Sequence, residues 1–128
     1  MSKKFSLSNR IQSLKHAVRG IILMLKSQHN AWIHALATVI VILMGLLLGV
    51  SRNQWCWLVL AIMAVWSAEA LNTALEFLAD FASDEFHPLI EKAKDVAAGA
   101  VLISAFGSAV IGLFVLGPGF YKFLCFLF

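Results

Sequence analysis

Residues 55–80 read WCWLVLAIMAVWSAEALNTALEFLAD. The first fourteen carry no charge, and the next twelve introduce Glu69, Asn72, Glu76 and Asp80. On an α-helix each residue advances about 100°, so the three carboxylates fall within roughly 20° of one line along the axis. Asn72 lies about 60° to one side, and Thr73, four residues after Glu69, shares that flank. The segment reads as one apolar helix whose second half carries an acidic stripe. What surrounds that stripe decides what it is for.

The surroundings are a membrane. Of the 128 residues, 61% are hydrophobic and 13% charged, with a mean hydropathy of +0.87. A soluble domain carries about 25% charge and 45–50% apolar residues. With two prolines and no Ser/Gly-rich linker, residues 1–128 read as a single membrane domain. The opening MSKKFSLSNRIQSLKHAVRG has scattered cations and no compact apolar core before a cleavage site, so it does not read as a cleavable signal peptide. Cys56 and Cys125 have no CxxC context and read as packing or lipid-facing residues.

Four segments follow from the patterning. Over residues 5–27, Leu7, Ile11, Leu14, Val18, Ile21, Ile22 and Leu25 recur at steps of three and four between Lys3, Lys4, Arg10, Lys15, Arg19 and Lys26. Such a basic amphipathic helix suits the membrane interface, with cations near lipid phosphates. Residues 31–50, 55–79 and 96–116 are each long enough to cross a hydrocarbon core of about 30 Å. The first is predicted to end at the polar turn Ser51–Gln54, and the third at Gly117-Pro118-Gly119. The tail beyond is too short to span again and is expected at the far interface.

Six Lys/Arg precede the first span, Arg52 alone lies between the first two, Lys92 and Lys94 lie between the second and third, and Lys122 follows. By the positive-inside rule the N-terminus and the 80–95 connection are cytoplasmic, and the 51–54 turn and the C-terminus are outside. All seven acidic residues, Glu69, Glu76, Asp80, Asp84, Glu85, Glu91 and Asp95, therefore cluster toward the side where ATP is found. An ionisable group inside a span costs about 2.5–3.5 kcal/mol on insertion scales and usually marks function.

Two membrane-depth carboxylates, an amide and the pair Lys94-Asp95 fit phosphoryl transfer. That reaction needs a cation on the phosphates, a positive group on the nucleotide, and a carboxylate near the attacking hydroxyl. Oxygen ligands suit Mg²⁺. No GxxxxGK[ST] pattern exists in the chain, so a P-loop is excluded. By chemistry alone, a small ion-coupled transporter using Glu69 fits nearly as well.

The wording of the chain goes further. EALNTALEFLAD, then EFHP at 85–88 and AKDVAAGAVLI at 93–103, resemble the signature of the prokaryotic diacylglycerol kinase family, which includes undecaprenol kinases. The resemblance runs from about Ser13 to Leu116, with SLKHAVRGI before the first span and NAWIHALA opening it. It implies an all-α integral membrane protein, one surface helix plus three spans, assembled as a homotrimer. Its active sites would be cytoplasmic and shared between neighbouring subunits in a bacterial inner membrane. The implied reaction moves the γ-phosphate of ATP, with Mg²⁺, to the hydroxyl of diacylglycerol or undecaprenol; no nucleic-acid partner is implied.

Position by position, the resemblance implies Glu69 as catalytic base toward the lipid hydroxyl, with Ala98 beside the lipid. Glu76 would ligate the metal, supported by Asn72. Lys94 and Asp95 would bind the nucleotide, with Glu85, Phe86 and His87 in the adjoining loop. Arg10 is a looser match to the nucleotide set, and His16 stands where the family commonly has Tyr. NxxIH, HPL and VAAGAVL are closer to the undecaprenol kinase branch. One departure matters: the family's second metal carboxylate falls on Gln28 here, an amide that offers oxygen without charge. That raises a second possibility, a non-catalytic pseudokinase or assembly protein. Ala100, Ser104, Ser108 and Gly112, four apart, form a small-residue ridge expected to let helices of neighbouring copies approach, with Gly45 and Gly49 as a second pair.

Overall fold

The computed structural model describes residues 6–82 and 86–127, and every element in them is helical. In chain order these are α1 (Leu7–Ser27), α2 (His29–Leu47), α3 (Arg52–Ala82) and α4 (Pro88–Leu127). The last three are long and apolar enough to cross a membrane. At about 1.5 Å per residue, α2 just spans a ~30 Å core, whereas α3 and α4 project well beyond it.

The junctions explain where the elements stop. Gln28 is the C-cap of α1 and the N-cap of α2 at once, an extended residue (φ −110°, ψ 118°) whose N–H returns to the Met24 carbonyl at 2.9 Å. A single extended residue thus turns the chain between two helices, and it is the position where the resemblance led one to expect a carboxylate. After α2, Gly49 adopts φ +60°, a conformation glycine enters without a Cβ penalty. Its N–H reaches the Leu46 carbonyl, and that of Val50 reaches Gly45, the paired bonds of a Schellman stop.

The turn between the first two spans therefore lies at 48–50, not at the expected 51–54. Ser51 instead caps α3: its Oγ accepts from the Gln54 N–H (3.3 Å), and Gln54 Oε1 accepts from the Ser51 N–H (2.8 Å). At α4 the His87 imidazole accepts from the Leu89 N–H at 3.2 Å, and Pro88 occupies the first helical position, where a missing N–H costs nothing.

A second correction concerns the end of α4. The helix runs through Gly117-Pro118-Gly119 to Leu127 rather than stopping there. Proline forfeits its bond to the carbonyl four residues back, a loss that membrane helices tolerate when neighbours pack on the site. Here the Gly119 backbone lies against Leu48, so the α2–α3 turn covers this stretch.

Packing is most extensive between α3 and α4, with α2 laid against α3. The buried face of α3 is Leu58, Ala61, Val65, Glu69, Asn72 and Thr73, spaced three and four apart. The acidic stripe is thus the polar continuation of an apolar core seam. Ser108 Oγ donates to the Ala61 carbonyl at 2.8 Å, so the small residue at this point of the α4 ridge seats α3 of the same chain. Within the chain the two glycines of the expected pair, Gly45 and Gly49, have different surroundings. Gly45 admits the Trp55 ring, while Gly49 has nothing within reach of a Cβ. Large apolar side chains such as Leu36, Leu60, Leu102, Phe106 and Phe114 point outward, as hydrocarbon surroundings favour.

Candidate active site

Each member of the α3 stripe meets a different partner. Glu76, half-buried, accepts from Gln28 Nε2 at 2.5 Å through Oε2 and from Asn72 Nδ2 at 3.1 Å through Oε1. Asp80 accepts from Lys94 Nζ of α4 at 3.2 Å. Glu69 faces His34 of α2, with Oε2 and Nε2 3.6 Å apart. Thr73 Oγ1 bonds the Glu69 carbonyl at 2.8 Å and is satisfied locally. The stripe therefore collects the α1–α2 junction, α2 and α4 along one side of α3.

The two inner carboxyls sit in contrasting surroundings. Glu69 is fully buried, and neither carboxyl oxygen has a hydrogen bond. A buried carboxyl that faces an imidazole at 3.6 Å and makes no hydrogen bond is costly in such a place, so the site holds it against stability. Glu76 lies seven residues on, about 10 Å nearer the end of α3, and is ringed by amides. Asn72 Oδ1 is buried and unpartnered. One carboxylate and two amide side chains are hard oxygen donors, and a buried carbonyl oxygen without a donor suits a cation such as Mg²⁺. Among the described residues no three His, Cys, Asp or Glu come together as a metal-ligating group, so a cation here would have to draw on the amide oxygens.

The other expected residues are spread more widely. Lys94 is paired with Asp80 at the exposed mouth between α3 and α4, a contact weak enough to yield to a phosphate. Asp95 and Ala98 are exposed on the first turns of α4, and Phe86 is exposed just before it. His87 serves as the cap of α4. Arg10 and His16 lie on the exposed length of α1, about 27 and 18 Å along its axis from Gln28. Glu85 lies outside the described residues. His34 is the residue missed: in sequence it interrupts an apolar run, and only the fold brings it to Glu69.

The model of the prokaryotic diacylglycerol kinase family matches residues 15–116. The chain belongs to that family. Within the match lie Gln28, His34, Glu69, Asn72, Glu76, Lys94 and Asp95; Arg10 falls before it. The chain is 39% identical over 112 residues to the undecaprenol kinase of Bacillus subtilis (strain 168), covering 88% of this chain and 91% of that protein. It is 35% identical over 111 residues to a diacylglycerol kinase of Synechocystis, covering 86% of this chain and 63% of the relative. A diacylglycerol kinase of Helicobacter pylori (strain 26695) shares 42% over 50 residues, 39% of either chain. As a prokaryotic diacylglycerol kinase family member, the protein is a lipid kinase carried in a membrane by three apolar helices.

Proposed function

We propose that this protein transfers the γ-phosphate of ATP, with Mg²⁺, to the primary hydroxyl of a membrane lipid alcohol, and that undecaprenol is preferred to diacylglycerol. The observation that carries the reading is the two-level stripe: a sealed Glu69 deep in the span, facing His34 without a hydrogen bond, and an amide-ringed Glu76 nearer Lys94. The lipid oxygen attacks the γ-phosphorus, the bond to the bridging oxygen breaks, and ADP leaves. The hydroxyl proton moves toward Glu69. Glu76, Asn72 and Gln28 would hold the metal, which supplies positive charge to the phosphates when bound. Lys94 would exchange Asp80 for a phosphate, with Asp95, Phe86 and His87 beside the nucleotide.

The preference for undecaprenol is supported by the Bacillus relative, which this chain matches over nearly its whole length. Purified protein offered both lipids in equimolar mixed micelles is expected to phosphorylate undecaprenol faster. A preference for diacylglycerol would reverse the assignment of substrate while leaving the reaction standing.

A homotrimer with shared sites belongs to the same proposal, with α1 lying on the membrane surface and carrying Arg10 and His16 toward the nucleotide of a neighbouring subunit. The N-terminus and Lys94 would be cytoplasmic and the C-terminus outside, in a bacterial inner membrane. With both native cysteines replaced by serine, Arg52→Cys is expected to react with an impermeant maleimide added outside cells, and Phe86→Cys only after lysis. Labelling of both from the same side contradicts this topology.

Gln28 motivates the pseudokinase alternative, since it brings no charge to Glu76. A pseudokinase would still be stabilised by MgATP, because a ligand that binds only the native state raises apparent stability. It would label neither lipid. The transporter alternative accounts for Glu69 but not for the amide cluster at Glu76.

A further inference from the structure

The polar contacts between α2 and α3 fall in one register. Gln28, at the head of α2, meets Glu76 at 2.5 Å, His34 faces Glu69 at 3.6 Å, and Trp66 Nε1 of α3 donates to Thr38 Oγ1 at 3.0 Å. From Gln28 to Thr38 is ten residues along α2, and from Glu76 back to Trp66 is ten along α3, about 15 Å on each helix. The contacts are rungs between antiparallel helices, two of them inside the candidate site and the last one turn past it. That last rung is satisfied on both sides. Thr38 Oγ1 gives its own proton to the His34 carbonyl at 2.7 Å and keeps a lone pair for the indole. An indole N–H inside a span has no water to turn to, so the bond is kept.

We propose that Trp66 and Thr38 are positioning residues for the kinase site: their hydrogen bond holds α2 in register on α3, so that Gln28 and Glu76 stay opposed when the bond between them is given up. This rests on the phosphoryl-transfer reading above and deepens it. As the helices stand, Gln28 offers Glu76 an N–H. To offer oxygen to a cation its amide must turn, and that hydrogen bond is lost. The pair of His34 and Glu69 has no hydrogen bond to take over. Among the described residues, the indole–hydroxyl contact is then the one α2–α3 hydrogen bond left.

Apolar contact is a weak guide to register in a membrane, because lipid tails are as apolar as the side chains of a neighbouring helix. At the far end of α2 the Trp55 ring on Gly45 fixes the turn, but Gly45 lies seven residues beyond Thr38. The indole–hydroxyl bond is therefore the fixed point nearest the site that does not itself belong to it. A slip of one residue along α2 moves Gln28 by about 1.5 Å. Magnesium demands near-ideal octahedral contacts at about 2.0–2.1 Å, so such a slip removes position 28 from the cation.

The test uses the full-length protein in detergent and reads the magnesium midpoint twice, from thermal stabilisation by ATP at rising magnesium and from lipid phosphorylation. Trp66→Phe keeps an aromatic ring and removes the donor, Thr38→Val keeps the shape and removes the hydroxyl, and Thr38→Ser keeps the hydroxyl. Trp66→Phe and Thr38→Val are each expected to raise the midpoint about tenfold in both readings, the lower end of what losing a supporting partner of a metal site costs. Thr38→Ser is expected to stay within about twofold of wild type. The double variant Trp66→Phe/Thr38→Val is expected to be no worse than the poorer single one, because both remove the same bond. A contact that serves the fold alone would lower the unfolding temperature equally with and without MgATP and leave both midpoints unchanged, and that result overturns the proposal. Shifts that simply add in the double variant overturn it too. Should Trp66→Phe fail to fold, Thr38→Val against Thr38→Ser decides. If MgATP stabilises the wild type but no lipid is labelled, the phosphoryl-transfer reading falls, and the stabilisation midpoints still test the role of Trp66 and Thr38. A wild type that MgATP does not stabilise overturns both.

Discussion

Glu69→Gln is expected to lower kcat by about 10²–10⁴-fold, the usual contribution of a general base, with little change in the affinity for MgATP. The substitution keeps the shape of the side chain and removes its ability to take charge. Because Glu69 is fully buried with neither oxygen bonded, the variant is expected to unfold at the same temperature as wild type or higher. Loss of activity with retained or improved stability is the signature of a group kept for chemistry at the expense of folding. Thermal unfolding in detergent and steady-state kinetics on one preparation read both effects. A variant that loses activity together with its fold would assign Glu69 a structural role.

The second large effect concerns Glu76 and Gln28, which touch each other. Glu76→Gln removes the one carboxylate of the amide cluster and is expected to raise the magnesium midpoint for activity by at least about tenfold. Changes to mere supporting partners of a metal site already cost roughly 10–100-fold in affinity or activity. Gln28→Glu acts oppositely: a second charge beside Glu76 tightens Mg²⁺ and raises activity most at low magnesium. Without metal the same substitution sets two carboxylates against each other and lowers stability, and magnesium reverses that loss. An unchanged magnesium midpoint in Gln28→Glu would show that position 28 does not reach the metal.

The stripe was legible in sequence because helical periodicity alone aligns Glu69, Glu76 and Asp80. The same three-and-four spacing continues the seam begun by Leu58, Ala61 and Val65. The contact of Gln28 with Glu76 was not legible from the residues, since 48 positions separate them; only the family resemblance put them at one site. His34 was missed for a different reason. A lone histidine inside an apolar run has no periodic partner, and its single cue was that ionisable groups are rare in spans.

The boundary errors have local causes. Ser51 and Gln54 were read as a polar turn, although Ser-x-x-Gln is a capping box and Gly49 two residues earlier already marks a stop. Gly117-Pro118-Gly119 would end a helix in water. In α4 the chain continues because Leu48 packs over Gly119 and a spanning helix has nowhere else to satisfy its backbone.

The central claim is tested most directly by incubating the purified protein with γ-labelled ATP, magnesium and undecaprenol or diacylglycerol in separate micelles. Label is expected in the lipid monophosphate, one for each ADP formed, and is expected to be absent when Glu69→Gln replaces the wild type at equal concentration. A protein that MgATP stabilises but that labels neither lipid, or that releases ADP and free phosphate without labelled lipid, would contradict it.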